Sequence, residues 1–345
     1  MRMTFRWFGA EDSVPLRYIR QIPGVRGIVS ALHDVAPGEV WLRERVDALA
    51  SVIDEAGLEL SVIESIPVHE DIKLGKASRE ELTDNYAQSI RNIGRAGIPV
   101  LCYNFMPVFD WTRTDLAMRL DDGSTALAFD DAALARIDLS HGTGDLPGWA
   151  TAYDAAELSA LLAEYATVSE QQLWDNLAWF LERIVPVAAS SSVKLAIHPD
   201  DPPWSIFGLP RIITSGGALD RVTRLVDDPF NGVTLCTGSL AADPGNDLTE
   251  IARQLGSRNR VHFAHCRNIE RTGDRSFHEA PHPTEFGDVN MLEVLRALKE
   301  SGFDGPMRPD HGRMIWDETG RPGYGLHDRA LGAMYLTGMW EGLSG

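Results

Sequence analysis

Along nearly the whole chain, short runs rich in β-branched and other apolar residues alternate with longer stretches of helical period. Eight of the short runs read as strands, at residues 4–8, 27–32, 59–64, 99–104, 194–198, 233–236, 260–266 and 305–310. Between them, Leu42, Val46, Leu49, Ala50 and Ile53 follow the i, i+4, i+7, i+8 stripe of a helix that buries one face. Leu82, Tyr86, Ile90 and Ile93 repeat that spacing, as do Leu173, Leu177, Phe180, Leu181 and Ile184, and later Leu292, Val294, Leu295 and Leu298. Three of these stretches stop at a glycine and lead straight into the next apolar run: Ala56-Gly57-Leu58, Ala96-Gly97-Ile98 and Ser301-Gly302-Phe303. A left-handed C-cap followed by a tight helix-to-strand turn is expected at each.

About eight strand–helix units, with no glycine-rich dinucleotide fingerprint after the first strand, favour a (β/α)8 TIM barrel over a doubly wound sheet. Residues 1–345 then form a single barrel domain, with 110–165 as an insertion after strand 4. The insertion carries Asp121-Asp122-Gly123, an Ala/Asp run to Leu139 and the turn His141-Gly142-Thr143-Gly144; short helices are expected there. The segment 330–340 is apolar nearly all round, as in a helix that is deeply buried or at an interface. A homo-oligomer, dimer or tetramer, is therefore expected to assemble through helices, because a closed barrel leaves no strand edge to pair.

Composition narrows the function. With 44% hydrophobic and 24% charged residues the chain is an ordinary globular one. Its 32 Lys and Arg against 50 Asp and Glu give a net charge of −18, which argues against nucleic acid or a membrane surface as partner. An anionic substrate would need a local cation to overcome that field. The first residues, Met1 to Trp7, read as a strand rather than a signal peptide, and no segment is apolar enough to span a bilayer. Three cysteines make no disulfide framework, so a cytoplasmic location is expected.

In a barrel of this kind, reactive groups come from strand C-terminal ends and the loops after them. The last four strands end in His198, Cys236, His265 and Asp310. A lone buried cysteine is usually core, and a lone histidine can simply cap a loop. Four metal-competent side chains at equivalent places outweigh those readings. A nitrogen, sulfur, nitrogen, oxygen set suits Mn2+, Fe2+, Co2+ or Zn2+ better than Mg2+ or Ca2+. His262 and His265 must face opposite ways along one strand, so His265 is the ligand and His262 a supporting residue; Cys266 and Cys102 read as packing. Arg6, His33, Glu64 and Asn104 end the early strands and face the same cavity as substrate-binding candidates. Arg267 and Arg313, cations at late strand ends, suit a carboxylate. His311 adjoins Asp310 and Tyr324 lies on a glycine-flanked loop, which makes them candidates for proton transfer. A tyrosine there could equally be an aromatic lid. His278 and His282 sit in a Pro-rich loop and read as lid residues.

Several stretches resemble the metal-dependent, xylose-isomerase-like mannonate dehydratase family: Phe5-Arg6-Trp7-Phe8-Gly9, Ala31-Leu32-His33 with Pro37-Gly38-Glu39-Val40-Trp41, and Glu64-Ser65-Ile66-Pro67-Val68-His69-Glu70. So do Tyr103-Asn104-Phe105-Met106-Pro107-Val108, His198-Pro199-Asp200-Asp201-Pro202-Pro203, His265-Cys266-Arg267-Asn268 and Arg308-Pro309-Asp310-His311-Gly312-Arg313. The resemblance implies dehydration of D-mannonate to 2-keto-3-deoxy-D-gluconate in hexuronate (glucuronate) catabolism, with Mn2+ the usual metal and Fe2+ or Co2+ as substitutes. The family's metal pattern falls on His198, Cys236, His265 and Asp310, and its proton-transfer pair on His311 and Tyr324. Between those two, the sequence leaves acid and base unassigned. The middle insertion is shorter and more acidic than in longer members. The alternatives are a metal-dependent sugar isomerase or epimerase on the same barrel, whose sites are usually carboxylate-rich and often hold two metals, or a non-catalytic sugar-acid-binding homologue, which would lose the proton-transfer pair first. An abasic-site endonuclease of similar fold would need a basic groove.

Overall fold

The structure is a computed structural model, and it describes residues 1–137, 139 and 154–343. Twelve strands are present among the described residues, in chain order β1 (Arg2–Arg6), β2 (Gly27–Ser30), β3 (Glu59–Glu64), β4 (Val100–Tyr103), β5 (Asp115–Arg119) and β6 (Thr125–Asp130). They continue with β7 (Lys194–Ile197), β8 (Asn231–Cys236), β9 (Val261–His265), β10 (Asn268–Gly273), β11 (Ser276–Ala280) and β12 (Pro306–Arg308). Eight of them close into a barrel in the order β1-β12-β9-β8-β7-β4-β3-β2, every pair parallel. These are the eight runs expected from the sequence. Val29, Val62, Val100, Cys102, Ala196 and Phe263 form a small buried cluster contributed by alternating strand positions.

The helices between strands bury the stripes read from the sequence. Helix Arg43–Glu55 buries Val46 and Ile53, helix Arg79–Arg95 buries Tyr86, Ile90 and Ile93, and helix Glu170–Ser190 buries Leu173, Leu177, Phe180, Leu181 and Ile184. Gly57, Gly97 and Gly302 end their helices at φ of 72°, 77° and 80°, the left-handed conformation expected of them.

The segment after β4 differs from the expectation of short helices alone. β5 and β6 form a hairpin through Asp121-Asp122-Gly123, and β6 pairs with β11, which pairs with β10. The result is a four-stranded antiparallel sheet, β10-β11-β6-β5, beside the barrel. Leu116-Ala117-Met118 and Ala126-Leu127-Ala128 are good helix formers in isolation. Pairing with a strand about 150 positions further on overrides that local preference. Short helices do follow, at Asp131–Leu134 and Ala155–Tyr165. The His141–Gly144 turn lies outside the described residues. The last helix, His327–Gly342, buries Gly332, Ala333 and Leu336 and leaves Leu331 and Met334 on its outer side, 51% and 40% exposed.

Candidate active site

The C-terminal ends of the barrel strands surround a cavity of about 330 Å³. Arg6, His33, Glu64 and Asn104, from the ends of β1 to β4, line it as expected. His198, Arg308, Asp310, His311 and Tyr324 line it as well.

Three of the four metal-ligand candidates form one cluster. A ring nitrogen of His198, a ring nitrogen of His265 and Cys236 Sγ all lie within 4.8 Å of one another. His198 Nε2 and His265 Nδ1 face each other at 3.1 Å. Asp310 is next to them, its Oδ2 3.7 Å from His265 Nδ1 and 3.8 Å from Cys236 Sγ. Ligand bonds of about 2.0–2.3 Å around one ion require separations of this size. Asp310 has φ 58°, a left-handed conformation rare for a side chain larger than glycine, and such strain concentrates at functional sites. The field at the cluster favours positive charge. Burial alone would lower His198, yet the neighbouring Cys236 sulfur and the Glu64 and Asp310 carboxylates raise it to about 9. Burial, helped by Arg308, pushes His265 down, so the facing ring nitrogens together hold one proton. A divalent ion would replace that proton, and the nitrogen–sulfur–oxygen donors fit a transition metal.

A second trio, Glu64, Cys102 and His265, also lies within 4.8 Å. It reuses His265, and the Glu64 carboxylate already accepts from Arg308 Nη2 at 3.1 Å and sits beside Arg6. Two guanidinium groups oppose a second cation there. Burial raises the Cys102 thiol well above its ordinary range, so it stays protonated.

His311 and Tyr324 meet. The Tyr324 hydroxyl is 2.8 Å from His311 Nε2, and His311 Nδ1 is 3.2 Å from Glu279 Oε1. Burial raises the Tyr324 phenol to about 12 despite the pull of Arg308, so it is a protonated donor near neutral pH. Trp111 packs on the His311 ring with centroids 5.1 Å apart. His33 is driven down to about 4 by burial, reinforced by Arg6 and Arg321, which makes it a neutral hydrogen-bonding ring.

Five further residues singled out in the sequence lie outside the cavity lining. Arg267 is buried behind it, with Nη2 2.6 Å from Asp201, Nη1 2.6 Å from Glu279 and Nε 2.8 Å from Asp310. Arg313 lines a separate groove of about 730 Å³ and is paired with Asp122 at 2.7 Å and Asp328 at 2.9 Å. His278 and His282 line that same groove, and His282 Nε2 is 2.8 Å from Pro309 O. His262 turns away from the site, with Nδ1 2.6 Å from Leu195 O.

The sequence reading passed over Arg308, Asp110, Asp201, Arg113 and Glu279. Arg308 is legible as the last residue of β12, where a barrel strand delivers side chains to the mouth. Arg308 and Arg6 also bring nitrogens that find no partner among the described residues, Arg308 Nε and Nη1 and Arg6 Nη1. Buried guanidinium groups with spare donors at a cavity wall suit a carboxylate ligand.

Comparison with known proteins shows the family. A D-mannonate dehydratase (UxuA) family profile matches residues 1–345. Mannonate dehydratase 2 of Halalkalibacterium halodurans is 55% identical over 344 residues, covering 100% of both chains. Mannonate dehydratase of Streptococcus uberis is 55% identical over 341 residues, 99% of this chain and 98% of that one. The crystal structure of mannonate dehydratase from Streptococcus suis serotype 2 superimposes with a TM-score of 0.93 at 49% identity, covering 99% of this chain and 95% of that one. D-Psicose 3-epimerase from Clostridium cellulolyticum H10 shares the barrel at a TM-score of 0.55 and 12% identity, a likeness of fold alone.

Proposed function

This chain belongs to the D-mannonate dehydratase family of hydro-lyases, and from that premise we propose how the mouth of its barrel removes water from D-mannonate to give 2-keto-3-deoxy-D-gluconate. The observation that carries the reading is the His311–Tyr324 pair lining the same cavity as His198, whose ring belongs to the cluster with the buried Cys236 and His265. His198, Cys236, His265 and Asp310 would hold a single Mn2+ ion, whose charge would stabilise the enediolate formed at C1 and C2 of the substrate.

The chain's own residues supply the rest. The C2 hydrogen of an aldonate is weakly acidic because its carboxylate is already negative. Arg6 and Arg308 bring unpaired donors to the cavity and bind that carboxylate, as charge-assisted hydrogen bonds from guanidinium do well. His33, Asn104 and Glu64 bind the substrate hydroxyls. His311 Nε2 accepts the C2 proton, because its Nδ1 faces the Glu279 carboxylate and is the nitrogen that carries hydrogen. The protonated Tyr324 phenol donates to the departing 3-hydroxyl. The enol so formed tautomerises to the 2-keto acid.

Around this site we read 1–345 as one barrel domain with 110–165 inserted. We also read it as a cytoplasmic protein and a dimer or tetramer joined through the outer side of helix His327–Gly342. Among the described residues no helix is long and apolar enough to cross a membrane. The experiment is turnover of D-mannonate with Mn2+, scored as 2-keto acid, for the parent, His311→Asn and Tyr324→Phe. Loss of an acid or base costs about 10²–10⁴-fold in kcat while metal content holds. Deuterium uptake at C2 of unreacted substrate should survive in Tyr324→Phe and vanish in His311→Asn. Near-normal turnover by both variants would sink the assignment.

A further inference from the structure

A cluster of four buried charges runs from the cavity lining at Asp201 into the protein behind it, and it is built by the accessory sheet together with the barrel. Arg113 precedes β5, Asp201 follows β7, Arg267 follows β9 and Glu279 lies on β11. All four are at most 1% exposed. Arg113 holds Asp201 through two parallel bonds of 2.9 and 3.0 Å and reaches Glu279 Oε1 at 2.9 Å. Arg267 reaches the same two carboxylates at 2.6 Å each. Two cations and two anions cancel, but taking four charges out of water is costly, and apolar residues of the same volume often do as well or better for stability. The cluster therefore needs another reason to exist.

Its two outlets give one. At one end, Glu279 Oε1 is 3.2 Å from His311 Nδ1. At the other, Arg267 Nε is 2.8 Å from Asp310 Oδ2. Glu279 sits on the face of β11 that also carries Phe277, which stacks on Phe129 of β6, while His278 between them points into the outer groove. The carboxylate is thus locked from three sides. Burial would raise it, but Arg267, the hydrogen bond with His311 and Arg113 hold it down to about 2, so it is an anion that can only accept.

We propose that Glu279 is the positioning residue for His311. Its carboxylate accepts the Nδ1 hydrogen, fixes the ring plane toward Tyr324 and leaves Nε2, which faces the Tyr324 hydroxyl, without a hydrogen of its own and able to take a proton from the substrate. The assignment rests on the reading of His311 as a proton-transfer residue. Arg113 and Arg267 act one step further out, by holding Glu279 in place, and through them the accessory sheet becomes part of the catalytic apparatus.

The test uses the Mn2+-loaded enzyme for kinetics and histidine-¹⁵N-labelled protein for the tautomer. Glu279→Gln keeps the volume but offers an amide that can donate to Nδ1 and favour the wrong tautomer. By analogy with neutralised carboxylate partners of other catalytic histidines, kcat should fall at least about 30-fold with KM within about threefold. In a His311→Asn background the same change should cost less than about twofold, because Glu279 has nothing left to orient. The His311 imidazole signal, assigned by its loss in His311→Asn, should report Nδ1–H in the parent and a shift toward Nε2–H in Glu279→Gln. Losses that multiply across the two variants would overturn the proposal, as would a full-activity Glu279→Gln. Should Glu279→Gln not fold, the parent alone decides, since an Nε2–H tautomer there would refute it. A fully active His311→Asn, with the parent in the Nδ1–H form, would leave the positioning intact and sink the proton-transfer reading instead.

Discussion

His262 is the sharpest place to test the electrostatics of this barrel, because it is 2% exposed and plays no part in the site. Its Nδ1 is bonded to Leu195 O at 2.6 Å, its ring lies against Gly232, and Lys194 and Arg260 are the nearest charges. Burial pushes it down to about 4 from an ordinary value of 6.5, against the pull of the Leu195 carbonyl. Above pH 6.5 the ring is neutral in both folded and unfolded chains, and stability is indifferent to it. As pH falls below 6.5 the unfolded chain takes up a proton that the folded one refuses, so stability drops until about pH 4. Each pH unit in that window costs about 1.4 kcal/mol, hence about 2 kcal/mol by pH 5 and about 3 kcal/mol by pH 4. His262→Gln keeps a donor for Leu195 O and removes the titration. The variant should be less stable than the parent at pH 7, and the gap should close by about 2 kcal/mol at pH 5. Urea unfolding followed by tryptophan fluorescence, with chelator present at both pH values, measures that gap and cancels groups common to both proteins. A gap that stays constant from pH 7 to pH 5 would refute the reasoning.

Cys236→Ser should weaken Mn2+ binding at least about 100-fold, the upper range for loss of a mere outer partner of a ligand, and titration calorimetry would show it. Cys102→Ser should leave Mn2+ affinity unchanged, because Arg6 and Arg308 already oppose a cation there. Arg6→Ala should cost about 2 kcal/mol of substrate binding, roughly 30-fold in kcat/KM, whereas Arg313→Ala should leave kcat/KM within about twofold and lower only the melting temperature.

The barrel was legible because parallel strands covered on both faces read as unbroken apolar runs such as Leu195-Ala196-Ile197, or as β-rich runs such as Val233-Thr234-Leu235. The rim was legible for a related reason: once strand ends are placed, the last side chain of each points to one place. What stayed hidden depends on contacts between distant parts of the chain. β10 is largely polar, so nothing in Asn268–Gly273 announces a strand; its state is set by pairing with β11. Glu279 carries no signal because its Pro-flanked stretch reads as a loop, and its partner Arg113 is 166 positions away. Arg313 misled for the opposite reason. It resembled a substrate-binding arginine by its closeness to Asp310, but the chain turns after the left-handed Asp310 and carries Arg313 to Asp328 in the outer groove.

The charges at the mouth explain how so acidic a chain can admit an anion. Arg6, Arg113, Arg267 and Arg308 are buried around the cavity against Glu64, Asp201, Glu279 and Asp310, and Asp110 adds a further carboxylate to the lining, so these groups offer the substrate no net attraction. Nor can the surface help, since a net charge of −18 repels an aldonate from a distance. The balance tips only where the cancelled charges are unequally used. Asp201 and Glu279 are consumed by two arginines each, while Arg6 and Arg308, both in the cavity lining, keep nitrogens that have no partner among the described residues. A divalent ion at the His198–Cys236–His265 cluster would add two positive charges to that same lining. Specific binding at short range then overcomes a repulsive long-range field, and salt, which screens the field and not the buried contacts, should speed substrate capture rather than slow it.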